Sequence, residues 1–418
     1  MHNLLGRPLA AVGLAVAVLV CAAPSMASPP SLVAPSYESL IARLEQTPSA
    51  MEAEALSDAA NARAQQARAL PNPTIGLEAE NVYGTGPYTG LGNADTTVSI
   101  SQPLELFGQR GARINAARAE ANAVGLRSEQ MLWQAAGRLA LVYAEAEAAA
   151  RRYELAAEAL SLAEQDARAV SLLVKEGREA TLRSVQADSE AEAARATLGQ
   201  MQAMRDAAFA RLSAIAMLDE PVQAIRDSLL DRSPPVNALD TDVPLAVRIA
   251  QAEYETANRR ITVEQRRARP AVNATIGARR FRETGDDALI VGLNVSLPLF
   301  DRNRGGISAA YADQRAAEAR LVAQQQDVKA ARLAAEATLS ASNMRAQASD
   351  SGVAAAEEAY RLARIGFDAG RISLLELRST RAALNASRAT AVDARIARVL
   401  AEIDLAGLEG RIPFLEAQ

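Results

Sequence analysis

The stretch VSISQPLELFGQRGARINAARAE, Val98 to Glu120, opens with every second residue apolar and closes with a helical spacing, and a proline stands near the joint. Almost two hundred residues later VGLNVSLPLFDRNRGGISAAYAD, Val291 to Asp313, runs through the same order. Pro103 and Pro298 are 195 positions apart, while the pairs Phe107/Phe300, Gly177/Gly370 and Leu182/Leu375 each lie 193 apart. Spacing that holds over four landmarks is the trace of an internal duplication. It divides the chain into a first repeat over 28–218, a proline-bearing connection over 219–244, and a second repeat over 245–418. Each repeat reads helix, proline, strand, loop, strand, proline, long helix, glycine turn, helix.

Alternation of period two predicts strands at about 73–82 and 96–102 in the first repeat and at about 271–281 and 288–297 in the second. Ile75, Leu77, Val98 and Ile100 form one face of the first pair; Ile276, Leu289, Val291, Leu293 and Val295 continue it in the second. The opposite face carries glycine, serine, threonine and a few charges. Strands of about ten residues with one apolar face suit a tilted crossing of a bilayer. Tyr83, Tyr88 and Phe281 stand near one end of the apolar band and Phe107 and Phe300 near the other, as interfacial aromatic belts do.

Four strands cannot close a barrel in lipid, where an open edge leaves backbone groups unpaired. The chain is therefore expected to assemble. Two copies would supply eight strands and three would supply twelve, and the wider barrel is the one with room for water.

Beyond each joint the pattern is helical, in hairpins over about 108–216 and 305–408. Their first arms, at 1.5 Å per residue, would be roughly 95 to 100 Å long. The seam Leu132, Ala136, Leu139, Tyr143, Ala146, Ala150, Tyr153, Ala157, Leu160 steps by threes and fours and calls for a neighbouring helix. The segment Tyr37 to Ala69 reads as a helix that delivers the chain to the first strand. Pro103 and Pro298 mark the strand–helix junctions, and Pro71, Pro73 and Pro270 the reverse passage.

Of the 418 residues, 49% are hydrophobic but only 4% aromatic, a balance that favours long, closely packed alanine-rich helices. The net charge of −5 argues against nucleic acid as a partner. Residues 1–27 read as a signal peptide: Arg7, the apolar run LAAVGLAVAVLV and the small-x-small site Ser25-Met26-Ala27. Val20 precedes Cys21 where a lipobox has a small residue, so lipidation is not expected. Cleavage there removes His2 and Cys21, the single histidine and the single cysteine. The processed chain then lacks imidazole and thiolate chemistry, and the sequence contains no HExxH, Walker or GxSxG motif. No enzyme activity, no cofactor and no metal site are expected.

Together these features resemble the TolC family of outer-membrane efflux channels, and the ISQPLELFGQRGAR run is most similar to its CzcC-type heavy-metal cation branch. The resemblance implies a mainly α fold with a transmembrane β part. Long helical hairpins would form a periplasmic α-barrel and four strands per chain a twelve-stranded outer-membrane β-barrel, in a homotrimer with a mixed equatorial belt. It implies as partners a periplasmic adaptor, an inner-membrane RND-type pump and outer-membrane lipid. The family's second hairpin turn has a glycine, a small hydroxyl residue three later and an acid six later; Gly370, Ser373 and Glu376 match, while the further acid is replaced by Ser379. The first turn places Arg183 six after Gly177. Glu376 and Arg183 are thus the candidates for the inner mouth, Arg178 and Arg371 for adaptor contact at the tips, and Glu78, Glu80 and Arg279 for the barrel lumen. The same duct could carry drugs or a secreted polypeptide, and a periplasm-spanning tether is the reading from a different class.

Overall fold

The computed structural model describes residues 33–233 and 243–415. The expected signal peptide lies outside the described residues, as does the middle of the proline-bearing connection. In chain order the elements are α1 (Tyr37–Ile41), α2 (Pro48–Gln66), β1 (Thr74–Glu80), β2 (Asp95–Leu104), α3 (Gln109–Lys175), α4 (Thr181–Ile215), α5 (Leu245–Arg267), β3 (Ala271–Arg280), β4 (Asp287–Ser296), α6 (Arg304–Asp368) and α7 (Leu374–Glu409).

α3 has 67 residues and α6 has 65, so each rod is about 100 Å long at the α-helical rise. Neither contains a proline, and alanine dominates both. Ion pairs show the layout. Arg127–Glu253 and Arg260–Glu120 tie the sheet-proximal half of α3 to α5. Arg152–Asp393, Arg388–Glu158 and Arg381–Asp166 tie its far half to α7. α4 folds back along α3, and α7 along α6.

One reading of the sequence is corrected. Tyr37 to Ala69 is not a single helix: it breaks after Ile41, makes one 3-10 turn over Leu44–Gln46, and restarts at Pro48. Thr47, held extended by the proline that follows it, cannot continue a helix. The break turns α1 into the middle of the molecule, where Tyr37 is fully buried and its hydroxyl donates to the Pro413 carbonyl at 3.0 Å.

That middle is the core. Leu139, Val142 and Tyr143 of α3 meet Leu40, Phe209, Leu212, Leu229, Leu230, Val399 and Phe414. From Ala136 to Ala149 most positions of α3 are buried, so the expected one-sided seam is there an almost completely wrapped helix. Towards the hairpin turn the packing thins to Ala163, Ala167 and Val170 against Ala187 and Ala191.

The sheet is antiparallel in the order β1-β2-β3-β4. Its register lines up Ile75, Ile100, Ile276 and Val291, and beside them Leu77, Val98, Ala278 and Leu289. This apolar face is open, with Leu77 at 74% and Val291 at 75% exposure. Among the described residues both β1 and β4 leave an edge without a partner. Gly277 is required by the approach of β2, since a Cβ there would lie 2.5 Å from the Val98 carbonyl oxygen. Among the described residues no helix is long and apolar enough to cross a membrane.

Candidate functional site

The other face of the sheet holds Glu78, Glu80, Asp95 and Arg279, while Arg280 and Asp287 pair at the loop end of the apolar face. Glu78 is opposite Thr97, which is opposite Arg279; Glu80 is opposite Asp95, so all four charges share one side. Arg279 bonds Glu80 and, at 3.3 Å, Asp95. Asp95 was not singled out from the sequence, because it sits in a loop-like NAD run ahead of the alternation. It also accepts from the Arg282 backbone N–H at 2.9 Å. This face of the sheet therefore presents three carboxylates to one guanidinium per chain, and the arginine is already engaged.

At the sheet's opposite end the two junctions solve the same problem with different chemistry. Pro103 lies within β2, beyond the last β1 pair at Ser101, where a missing N–H costs no bond to β1. Pro298 lies just past β4. Each long helix then begins after a left-handed residue, Gly108 (φ 80°) or Asn303 (φ 50°). In the first junction Arg110 and Arg113 donate to the carbonyls of Arg68, Ala67 and Ala69, the last acceptors beyond α2, and Arg113 also pairs with Glu105. In the second, the Asn303 amide donates to Glu264 of α5 at 2.6 Å, with Gly306 leaving room. The arginines of FGQRGAR thus fasten the incoming helix to the outgoing one.

The two hairpin turns are built alike. Gly177 (φ 72°) and Gly370 (φ 71°) adopt the left-handed conformation. Arg178 N–H donates to the Leu173 carbonyl and Arg371 N–H to that of Gly366, both at the six-residue closure of a glycine helix cap. Ser373 caps α7 by accepting from Glu376 N–H at 3.3 Å. The structure does not bring Arg183 and Glu376 together within one chain: Arg183 pairs with Glu179 at 3.2 Å, and the exposed Glu376 carboxylate has no ion-pair partner among the described residues. Arg178 is exposed beside Glu176, and Arg371 is exposed.

One layer in from the turns is a cross-link that spacing did not reveal. Arg381 of α7 reaches Asp166 of α3 at 2.7 Å, and Arg378 reaches Glu190 of α4 at 3.2 Å. Two guanidinium nitrogens of Arg378, Nε and Nη2, are buried without a hydrogen-bond acceptor. Such pairs join residues far apart in sequence, and no local pattern announces them.

The belt is held by a different set of missed charges. Glu147 is 5% exposed; its carboxylate accepts from the Leu229 and Leu230 N–H groups at 2.8 and 3.0 Å, from Ser228, and from Arg151. Burial opposes the charge of Arg151, but its bonds to Asp231 and Glu147 outweigh that and hold its pKa above the ordinary value. Burial would raise the Asp231 pKa, yet the bonds from Arg151 and Ser228 leave it lowered. The Arg232 bond lowers that of Glu38. Arg411 pairs with the buried Glu402 and Glu409 and pins the chain's last turn to α7. No group of three or more potential metal ligands occurs among the described residues.

The family model described as "Outer membrane efflux protein" matches residues 42–216 and 244–411. The chain is 39% identical to the nickel-cobalt-cadmium resistance protein NccC of Alcaligenes xylosoxydans xylosoxydans over 92% of its own length and 89% of the relative's. To the cobalt-zinc-cadmium resistance protein CzcC of Cupriavidus metallidurans it is 28% identical, over 75% and 74%. The fold superimposes on the crystal structure of the outer membrane protein VceC of Vibrio cholerae with a TM-score of 0.73, covering 90% of this chain and 96% of that one at 21% identity.

Proposed function

The chain belongs to the outer membrane efflux protein family, and on that premise we propose that it is the passive exit duct of a tripartite system exporting heavy-metal cations. One observation carries the reading: a four-stranded sheet with an open apolar face and two unpaired edges sits on helical rods about 100 Å long. Such a sheet is stable in lipid only when copies pair β4 to β1 until the wall closes. Three copies give twelve strands, and their apolar faces meet lipid while Glu78, Glu80, Asp95 and Arg279 line the bore.

The duct does no chemistry. Its bore carries three carboxylates to one guanidinium per chain, a charge balance that favours cations over anions. Cargo class follows from relatives named for nickel, cobalt, cadmium and zinc resistance. Selection and energy come from an inner-membrane pump joined through a periplasmic adaptor, which meets Arg178 and Arg371 at the tips. Glu376 and Arg183 narrow the inner mouth, each facing its counterparts in the other two copies.

A deletion strain challenged with divalent metals and with organic toxins tests the cargo. Sensitivity to nickel, cobalt, cadmium or zinc with normal drug tolerance is the expected result; sensitivity to organic compounds alone would overturn it. Conductance of Glu376→Ala and Arg183→Ala trimers in planar bilayers tests the mouth. The expected result is a larger or more frequent open state, and an unchanged channel removes both residues from that role.

A further inference from the structure

The two ends of the sheet differ sharply in charge. At the loop end, segments 78–95 and 279–287 contain six carboxylates and three arginines. At the helix end, segments 68–73, 104–113, 264–270 and 297–304 contain eight arginines and three carboxylates. The topology brings these four segments together, because α2 and α5 enter the sheet where α3 and α6 leave it. The three carboxylates are already occupied: Glu105 holds Arg113, Glu264 holds Asn303, and Asp301 accepts from Asn303 N–H at 2.9 Å. Arg68, Arg266, Arg269, Arg302 and Arg304 are exposed, and among the described residues none has a carboxylate within ion-pair distance.

Arg68 and Arg302 have large apolar residues close by in sequence. Leu70, Leu106, Leu299 and Phe300 are all more than 60% exposed, and along the sequence they lie between the strand ends and arginines. In 68–73 and 297–304 the chain joins lipid-suited strand, through an exposed leucine or phenylalanine, to an unpaired guanidinium, and in 264–270 Arg269 stands one proline from the strand. Long cationic side chains at such a boundary lay their stems on the apolar zone and reach the headgroup level. A guanidinium fork binds a phosphate oxygen pair better than a point charge does.

We propose that this arginine collar, fifteen unpaired guanidinium groups in a trimer, is a binding surface for the phosphate headgroups of anionic phospholipids in the membrane leaflet facing the helices. The surface rests on the outer-membrane placement of the chain, and it requires no particular cargo. It gives the channel a fixed depth and polarity: the cationic end seats on anionic headgroups while the acidic end stays at the opposite face.

The test uses the processed full-length protein, first shown to be trimeric by native mass spectrometry, so that loss of the channel assembly is seen separately from loss of lipid. Wild-type trimer is reconstituted in nanodiscs of phosphatidylcholine containing a quarter phosphatidylglycerol, and the lipid retained after delipidation is weighed by mass spectrometry. The expected result is an enrichment of phosphatidylglycerol of about threefold over the bulk mixture, reduced by 0.5 M salt. The variant Arg266→Gln/Arg269→Gln/Arg302→Gln returns to the bulk ratio while remaining trimeric. Should that variant fail to assemble, Arg302→Gln alone is expected to remove about a quarter of the enrichment. Equal retention of both lipids by wild type overturns the proposal, and so does undiminished enrichment in the variants. Displacement of the lipid by millimolar inorganic phosphate would assign the collar to a soluble anion, and a shifted reversal potential with unchanged lipid would place the arginines in the bore; each overturns it too.

Discussion

The middle of α3 and its far end belong to one uninterrupted helix, yet they are held in opposite ways. At the belt, Leu139 and Tyr143 are enclosed by large side chains from α1, α4, α7 and the segment 222–230, and the buried acid Glu147 has a donor for each oxygen. Near the turn the helix rests on α4 through alanines, and Leu182 and Leu375 are exposed at 66% and 73%. The bond to α7 there adds to Leu374 a set of ion pairs that is incomplete, since Arg378 keeps buried nitrogens without acceptors. Bulky burial makes a fixed point, whereas alanine contacts and ion pairs make an end that opens at low cost. A rod clamped at its belt and lightly tied at its tip can move its tip without unfolding.

The sharpest way to break this contrast is to attack the clamp. Glu147→Ala strands the Leu229 and Leu230 N–H groups and leaves Arg151 with Asp231 as its one carboxylate, and is expected to cost about 3–5 kcal/mol in thermal or denaturant unfolding. Leu229→Ala removes a fully buried side chain from the same place, with an expected loss of about 2–5 kcal/mol. A loss below 1 kcal/mol in both would mean the belt is not the fixed point.

Acid tests the belt more gently. Glu38 and Asp231 have depressed pKa values when folded, so their contribution is complete above the ordinary carboxylate range, near pH 4, and disappears as pH falls through the lower folded values. The unfolding midpoint is therefore expected to drop below about pH 4, and Arg232→Met should flatten that dependence for the Glu38 part. A pH-independent midpoint between 2 and 5 contradicts the assignment.

The smallest expected effect is at the tip. Asp166→Ala frees Arg381 and Arg378 from α3 at a cost of about 1–2 kcal/mol, between that of an exposed and of a fully buried pair. Amide exchange should quicken in α7 near Leu374–Leu384 and leave residues 136–149 unchanged. Faster exchange in both regions would show that tip and belt are one cooperative unit.

Much of this was legible along the chain. Strict alternation at Ile75/Leu77 and Leu289/Val291/Leu293 marks strands with one apolar face, and Gly177 and Gly370 mark turns because their conformation excludes most other residues. The break before Pro48 is marked in the sequence by that proline alone, while the residues on both sides of it have helical spacing. Glu147 in YAEAEAAARRY has the look of a solvated helical acid, and nothing near it in sequence hints at the two N–H groups supplied from residues 229 and 230. Arg183 could be tied to its own turn by Glu179 because a helix makes that pair locally, while Arg381–Asp166 spans 215 residues.

The sequence by itself determined the kinds of element and most of their extents, because periodicity, turn glycines and prolines act through neighbouring residues. It also determined that one copy is insufficient, since four strands with an apolar face leave edges that lipid does not tolerate. Only the tertiary structure decided where the rod is clamped, which carboxylates are spent on arginines and which end of the sheet is cationic. Those depend on side chains meeting across tens to hundreds of residues, and Coulomb and packing energies are set by distance in space.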